Sequence, residues 1–294
     1  MRDGFGGTVH TLARLQSQLV RTVAIFSLLS LGLTFQATTP SGASNAYYSG
    51  TGYDMSYPQC SLGGKGVPDN SSRTLFAIIG LGGGRPFTTN GCATQQAQWA
   101  VTQGQPTSFY FNTGYAMAYA KSVTTQCSTL SSQQSFTGSA HDVSAQQTAW
   151  AIGCSETDTA MASAPTTSPA TTPVAWWADI ETGNSWSSNT SLNQATVKGI
   201  FDELHNKLTQ SGSSNVQVGV YSSPSMWGQI VGAGYVNAGI TADWQSGATC
   251  PLPSSTGEVN GFSLTGTNTS APLWLAQSGS YSAYYTTFDE DVAC

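Results

Sequence analysis

The sequence predicts an α/β fold of the (β/α)-barrel type. Strand-length apolar segments alternate with helical ones through most of the chain, which implies parallel strands. Three strand-like pieces with little helix between them close it, after about five βα-like units. The stretch from Tyr47 to Cys294 is 248 residues. That length admits two small domains or one large one, and a single barrel takes about 250.

The chain opens on a leader. Arg14 and Arg21 precede the apolar run "TVAIFSLLSLGLTF" (22–35), and a polar stretch ends in "SNA" (44–46). Basic residues, a short apolar core and a small-residue exit describe a secretory signal peptide. The alternative is a membrane anchor, but the run is shorter than the roughly 20 residues a spanning helix needs. The expectation is a signal peptide and leader over residues 1–46 and a barrel domain over 47–294, with no stable membrane insertion after processing.

The first strand is "GYDMS" (52–56). The continuous apolar run "LFAIIGL" (75–81) has strand length and suggests burial on both faces. "CATQQAQWAVTQG" (92–104) reads as a helix ending at Gly104, and "SFYFN" (108–112) as another strand. A helix-permissive stretch covers 140–162. "APTTSPATTP" (164–173) could pass for a linker, but strand-like sequence resumes at once, so it reads as a surface loop. That next strand is "VAWWADIETGNSW" (174–186). Residues 191–212 form the clearest helix: Leu192, Ala195, Val197, Ile200, Phe201, Leu204 and Leu208 keep helical spacing, and Gly212 is a stop. "VQVGVYS" (216–222) is a strand, and "PSMWGQIV" (224–231) a short helix. "GITADW" (239–244), "PLWLAQ" (272–277) and "TTFDEDV" (286–292) are the helix-poor strands.

Six cysteines, Cys60, Cys92, Cys127, Cys154, Cys250 and Cys294, all lie downstream of the leader. An even count in an exported chain reads as disulfides. Pairing of neighbours in order is expected, because each pair closes a local stretch beside a predicted loop. A metal site is the weaker reading: no CxxC occurs, and only His141 and His205 follow the leader. Without the leader, which holds Arg2, Arg14, Arg21 and Asp3, six basic residues face fourteen acidic ones, a net charge of −8. That argues against a nucleic-acid partner, which wants basic patches.

Only 8% of the residues are charged, yet the 174–186 segment carries two acids two positions apart, Asp179 and Glu181. Side chains alternate along a strand, so Trp177, Asp179 and Glu181 share one face, and Trp176, Ala178 and Ile180 the other. The acids sit at the strand's C-terminal end, which is the active face of a (β/α) barrel. Two carboxylates side by side cannot both ionise freely, and one can serve as a proton donor. That is equipment for glycosidic bond cleavage. A calcium ion, an arginine partner or a solvated strand end would also account for the pair. Asp54 ends the first strand, and Asp289 and Asp291 share a face of the last, with Glu290 opposite. First and last strands are neighbours in a closed barrel, so Asp54 and Asp291 (or Asp289) are expected to face the pair.

Aromatics near strand ends offer flat faces to a sugar. Trp186, Tyr221 and Trp244 are the candidate cleft residues, although core packing is the commoner fate of any one Trp. "GLGGGRP" (80–86) looks phosphate-binding, but Arg85 stands where GxGxxG needs its last glycine and no GK[ST] follows. It reads as a tight loop with Arg85 free to contact a carboxylate. GxSxG and HExxH are absent.

"GYDMSYPQ" resembles the GxDxSxxQ opening of family 25 glycoside hydrolases, the secreted Chalaropsis-type lysozymes, and "WWADIE" resembles their DxE strand. "SYPQC", "GGRPFTTNGC", "WWADIETGNSW" and "PLWLAQ" look more closely like the exported glycoside-hydrolase-like proteins of actinobacteria. The resemblance spans nearly all of 52–294. It implies a single irregular TIM-type (β/α)5β3 barrel and a β-1,4 bond of peptidoglycan, or a related glycan, as the target. Glu181 would be the general acid. Asp179 would orient the sugar's acetamido group or stabilise the intermediate, and Asp54 and Asp291 would complete the acidic cleft. Gln277, Arg85 and Asp289 join Trp186, Tyr221 and Trp244 as implied substrate-binding residues. No cofactor is implied, and the protein would be a secreted or wall-associated monomer. Two departures stand out: Ser278 replaces an aromatic after Trp274 and Gln277, and "FDEDVAC" replaces a terminal Asp-x-Asn. A glycan-binding module or an envelope protein on the same fold is the alternative to a hydrolase.

Overall fold

The computed structural model describes residues 47–61, 66–68, 74–232, 234–248, 250, 271–283 and 286–294. The expected leader, residues 1–46, lies outside them. Eight strands close a barrel in chain order: β1 (Thr51–Met55), β2 (Ala77–Gly80), β3 (Thr107–Asn112), β4 (Ala175–Asp179), β5 (Gln217–Ser222), β6 (Ala242–Ser246), β7 (Leu273–Ala283) and β8 (Thr286–Ala293). The first seven run parallel, as the alternation predicts. β8 instead pairs antiparallel with both β7 and β1. β7 runs six residues past the end of the expected strand, whereas β8 matches its expected span to within one residue. Among the described residues no helix is long and apolar enough to cross a membrane.

The helices are α1 (Tyr57–Ser61), α2 (Ala93–Thr102), α3 (Thr125–Ser131), α4 (Ala140–Ala162), α5 (Thr190–Gln210) and α6 (Pro224–Ile230). Local chemistry sets several of their ends. Ser139 and Asp142 form a reciprocal capping box that starts α4. Asn189 caps α5, and Ser223, followed by Pro224 in the first turn, caps α6. α5 stops just before Gly212, which takes φ +69°, the conformation that favours glycine after a helix. Sequence reading missed α1, α3 and the 3₁₀ helix Met117–Ser122. All three are short, and their apolar residues show no helical period long enough to read.

Strand alternation builds two cores. Trp177, Trp244, Trp274, Ile78 and Leu275 fill the barrel interior. Met55, Ile79, Trp176, Ile200 and Leu204 pack between strands and helices. α4 and α5 touch through two glycines: a Cβ on Gly153 would stand 2.0 Å from the Thr196 carbonyl oxygen, and one on Gly199 2.1 Å from that of Trp150. The disulfides are Cys60–Cys92, Cys127–Cys154 and Cys250–Cys294, the pairing expected from order along the chain.

Candidate active site

The C-terminal ends of the parallel strands surround a cleft of about 140 Å³, lined by Asp54, Tyr110, Asn112, Asp179, Glu181, Tyr221, Trp244, Gln277 and Asp289. Alternation explains the set. On β4, Trp177 points into the barrel core and Asp179 stands above it at the cleft floor. Glu181 follows two residues past the end of β4. Its backbone is held by the Trp186 indole, which donates to the Glu181 carbonyl oxygen at 2.8 Å. Ser222 Oγ and the Ile180 amide tie the intervening residue to β5.

Asp179 is 3% exposed, and Glu181 is partly open to the cleft. Burial, then the charge of Glu181 and a hydrogen bond with it, push the Asp179 carboxyl well above the usual carboxylate range. Asn112 and Asn184 pull the other way. Asn112 Nδ2 donates to Asp179 Oδ2 at 2.5 Å, and Asn184 Nδ2 reaches Oδ1 at 3.5 Å. These donors favour the ionised form.

Across the cleft stands Asp54, paired in register with Asp289 on β8. Gln277 links this side to β5: its Nε2 donates to Asp54 Oδ2 at 2.9 Å, and its Oε1 accepts from the Tyr221 hydroxyl at 2.7 Å. Burial first, then the charge of Asp289, raises the Asp54 carboxyl well above its ordinary range. Burial also raises Asp289, which lies at the solvent side of the cleft. The Tyr110 hydroxyl, raised by burial and by Asp54, stays protonated and is hydrogen-bonded to Ser56.

Thus Asp54, Asp179, Glu181, Asp289, Tyr221, Trp244 and Gln277 come together. Asp291 does not line the cleft. It is fully buried one layer deeper, where the Trp244 indole donates to its Oδ1 at 2.7 Å. Trp186 lies behind Glu181, packed against the helical layer. Arg85 lies on the loop after β2, at a narrow recess that shares Asn112 with the cleft. Tyr110 and Asn112 were not singled out from sequence, although both share one face of "SFYFN". No group of three or more His, Cys, Asp or Glu suited to a metal occurs among the described residues.

No protein-family model and no curated protein matches the sequence. The fold, by contrast, is similar to that of solved structures. A muramidase from Acremonium alcalophilum is 13% identical, with a TM-score of 0.49 over 83% of this chain and 93% of that one. The bacterial lysozyme from Streptomyces coelicolor is 13% identical, with a TM-score of 0.49 over 83% and 92%. A family 25 lysozyme from Aspergillus fumigatus is 12% identical, with a TM-score of 0.45 over 82% and 92%.

Proposed function

We propose that this chain is a glycoside hydrolase that cleaves β-1,4 bonds of peptidoglycan, with Glu181 as general acid. The carrying observation is the pairing of Asp179 with Glu181 at the floor of one cleft, with Asp54 and Asp289 on the opposite wall. The Asp179 carboxyl, raised by burial and by its neighbour, holds a proton and is hydrogen-bonded to Glu181, so the proton can pass to it. Glu181, the member open to the cleft, passes it to the glycosidic oxygen as the bond to the anomeric carbon breaks. Negative charge is then left on the pair, with Asp179 beside the forming oxocarbenium-like centre. Water adds to that centre, and its proton returns to a carboxylate of the cleft. Asp54, oriented by Gln277, supports the same positive charge from the other side. Trp244 and Tyr221 supply apolar wall for the sugar rings. Three disulfides favour work in an oxidising compartment outside the cell or at its wall.

The test is digestion of purified peptidoglycan by the wild type and by Glu181→Gln, with released muropeptides counted. Gln keeps shape and hydrogen bonds but donates no proton in acid catalysis, so turnover falls by about 10²–10⁴-fold. Equal release by both proteins removes Glu181 from the mechanism. Binding without release by either makes the chain a glycan-binding module.

A further inference from the structure

The cleft is acidic on both walls, yet the barrel end that carries it also carries cations that make no ion pair among the described residues. Four Lys or Arg fall among the described residues: Arg85, Lys121, Lys198 and Lys207. Lys198 pairs with Asp202, and Lys207 with Asp158 and Glu203, on the α4–α5 flank. Arg85 and Lys121 are exposed and make no ion pair among the described residues. They lie on the loops after β2 and β3, which pack together through Phe87 and Tyr119, whose ring centroids are 5.6 Å apart.

The Arg85 loop is a built feature. Thr88 Oγ1 accepts from the Gly83 amide at 2.8 Å and donates to the Arg85 carbonyl at 2.5 Å. Asn90 braces the loop base, donating from its amide to the Leu81 carbonyl and from Nδ2 to that of Gly80. Phe87 holds φ +60°, a conformation rare for a bulky residue, and the surrounding structure must fix it there. Beside this loop stands Tyr57, the first residue of α1 and 44% exposed. Its ring end lies against Gly84, where φ is +82° and a Cβ would come within 2.8 Å of the ring. The Cys60–Cys92 disulfide ties α1 to the start of α2, so Tyr57 and Arg85 are held on one clamped unit. Neither lines the cleft itself, but the residues beside them reach two of its lining residues, Tyr110 and Asn112. Ser56, next to Tyr57, is hydrogen-bonded to Tyr110, and Gly82 lies against the Asn112 amide oxygen.

An exposed ring packed against Gly84, with an exposed arginine next in the chain that makes no ion pair among the described residues, matches a sugar that carries an acid. The carboxylate-lined cleft repels such a ligand, and a cation on its rim offsets that repulsion. We propose that Tyr57 and Arg85 form a rim subsite for a sugar bearing its own carboxylate, with the sugar face on the Tyr57 ring and the carboxylate on the Arg85 guanidinium. This rests on the glycan reading above and names the feature of the glycan that the rim selects.

The test is binding, independent of turnover. Dissociation constants are measured by calorimetry for an N-acetylglucosamine oligomer, for a muramyl-containing oligomer of equal length without peptide, and for its peptide-bearing form. Wild type is expected to prefer the peptide-free acidic oligomer over the neutral one about tenfold at low salt, as charge-assisted hydrogen bonds imply. The preference shrinks in high salt. Arg85→Gln removes the preference and leaves neutral binding unchanged, Arg85→Lys restores part of it, and Tyr57→Ala weakens both oligomers alike. An acid-to-neutral ratio equal in wild type and Arg85→Gln overturns the proposal, as does a wild type with no preference. A preference that appears only with the peptide overturns the sugar-borne assignment. Lost muropeptide release with the binding preference intact overturns the hydrolase reading alone.

Discussion

Asn112 and Asp179 stand opposite each other on adjacent parallel strands, and the Asn112 amide donates to the Asp179 carboxyl at 2.5 Å. Burial and Glu181 drive Asp179 toward its protonated form, and this donor opposes them. Asn112→Ala therefore raises the Asp179 pKa further. One hydrogen bond is worth about 1 kcal/mol, which is about 0.5–1 pH unit. The acid limb of kcat/KM is expected to move to higher pH by that amount, with activity on that limb falling about 3–10-fold. A pH–rate profile that keeps its acid limb in Asn112→Ala removes this bond from the mechanism.

Gln277 is the only described residue that bridges Asp54 and Tyr221 by its amide, accepting from one and donating to the other. Gln277→Glu replaces the donor with a second carboxyl beside Asp54, so the two must share a proton. The expected result is a loss of about 10–100-fold in kcat/KM, the range that a misplaced catalytic carboxyl costs. Gln277→Met tests the same bond without new charge. If both variants turn over like wild type, Asp54 needs no orienting partner.

The acid pair was legible in sequence because strand alternation alone puts Trp177, Asp179 and Glu181 on one face. Asn112 was not. Its face was readable from "SFYFN", but its importance comes from register with β4, which no single segment encodes. Asp289 and Asp291 illustrate a different gap. Alternation places both on one face and says nothing of depth. β8 runs antiparallel to β1, so the earlier residue lies nearer the open end: Asp289 pairs with Asp54, and Asp291 pairs with Gly52 below it. The helices over 140–162 and 191–212 were readable because they are long and capped. The 3₁₀ helix and α3 were too short for any period to show.

α4 and α5 approach so closely at Gly153 and Gly199 that each Cβ would meet backbone atoms of the other helix. Backbone cannot yield as a side-chain tip can. Gly153→Ala or Gly199→Ala is expected to cost about 3 kcal/mol, the upper range of overpacking. Helix propensity alone would favour alanine by about 1 kcal/mol. Denaturant unfolding decides between the two, and a stabilised variant would show that the helices separate freely.

Asp243 lies on the outer face of β6, between Ala242 and Trp244 of the inner core, fully buried, with neither carboxyl oxygen hydrogen-bonded among the described residues. Burial raises its pKa well above the usual value, as it does first for Asp54, Asp179, Asp291 and Glu156. The sign follows from proton counts. Below about pH 4 the folded and unfolded chains both hold these protons. As pH rises, the unfolded chain releases them first, so stability falls until the folded carboxyls ionise too. The protein is therefore expected to be most stable on the acid side and to lose stability as pH rises above the ordinary carboxylate range, until the folded carboxyls ionise too. Asp243→Asn removes one such proton. Its stability should match wild type near pH 4 and exceed it near neutrality, because the slope drops by up to about 1.4 kcal/mol per pH unit over the window in which Asp243 stays protonated. Scanning calorimetry of both proteins across that range measures the difference. Melting curves that run parallel at every pH would show that Asp243 finds a partner or water that lets it ionise in the folded state.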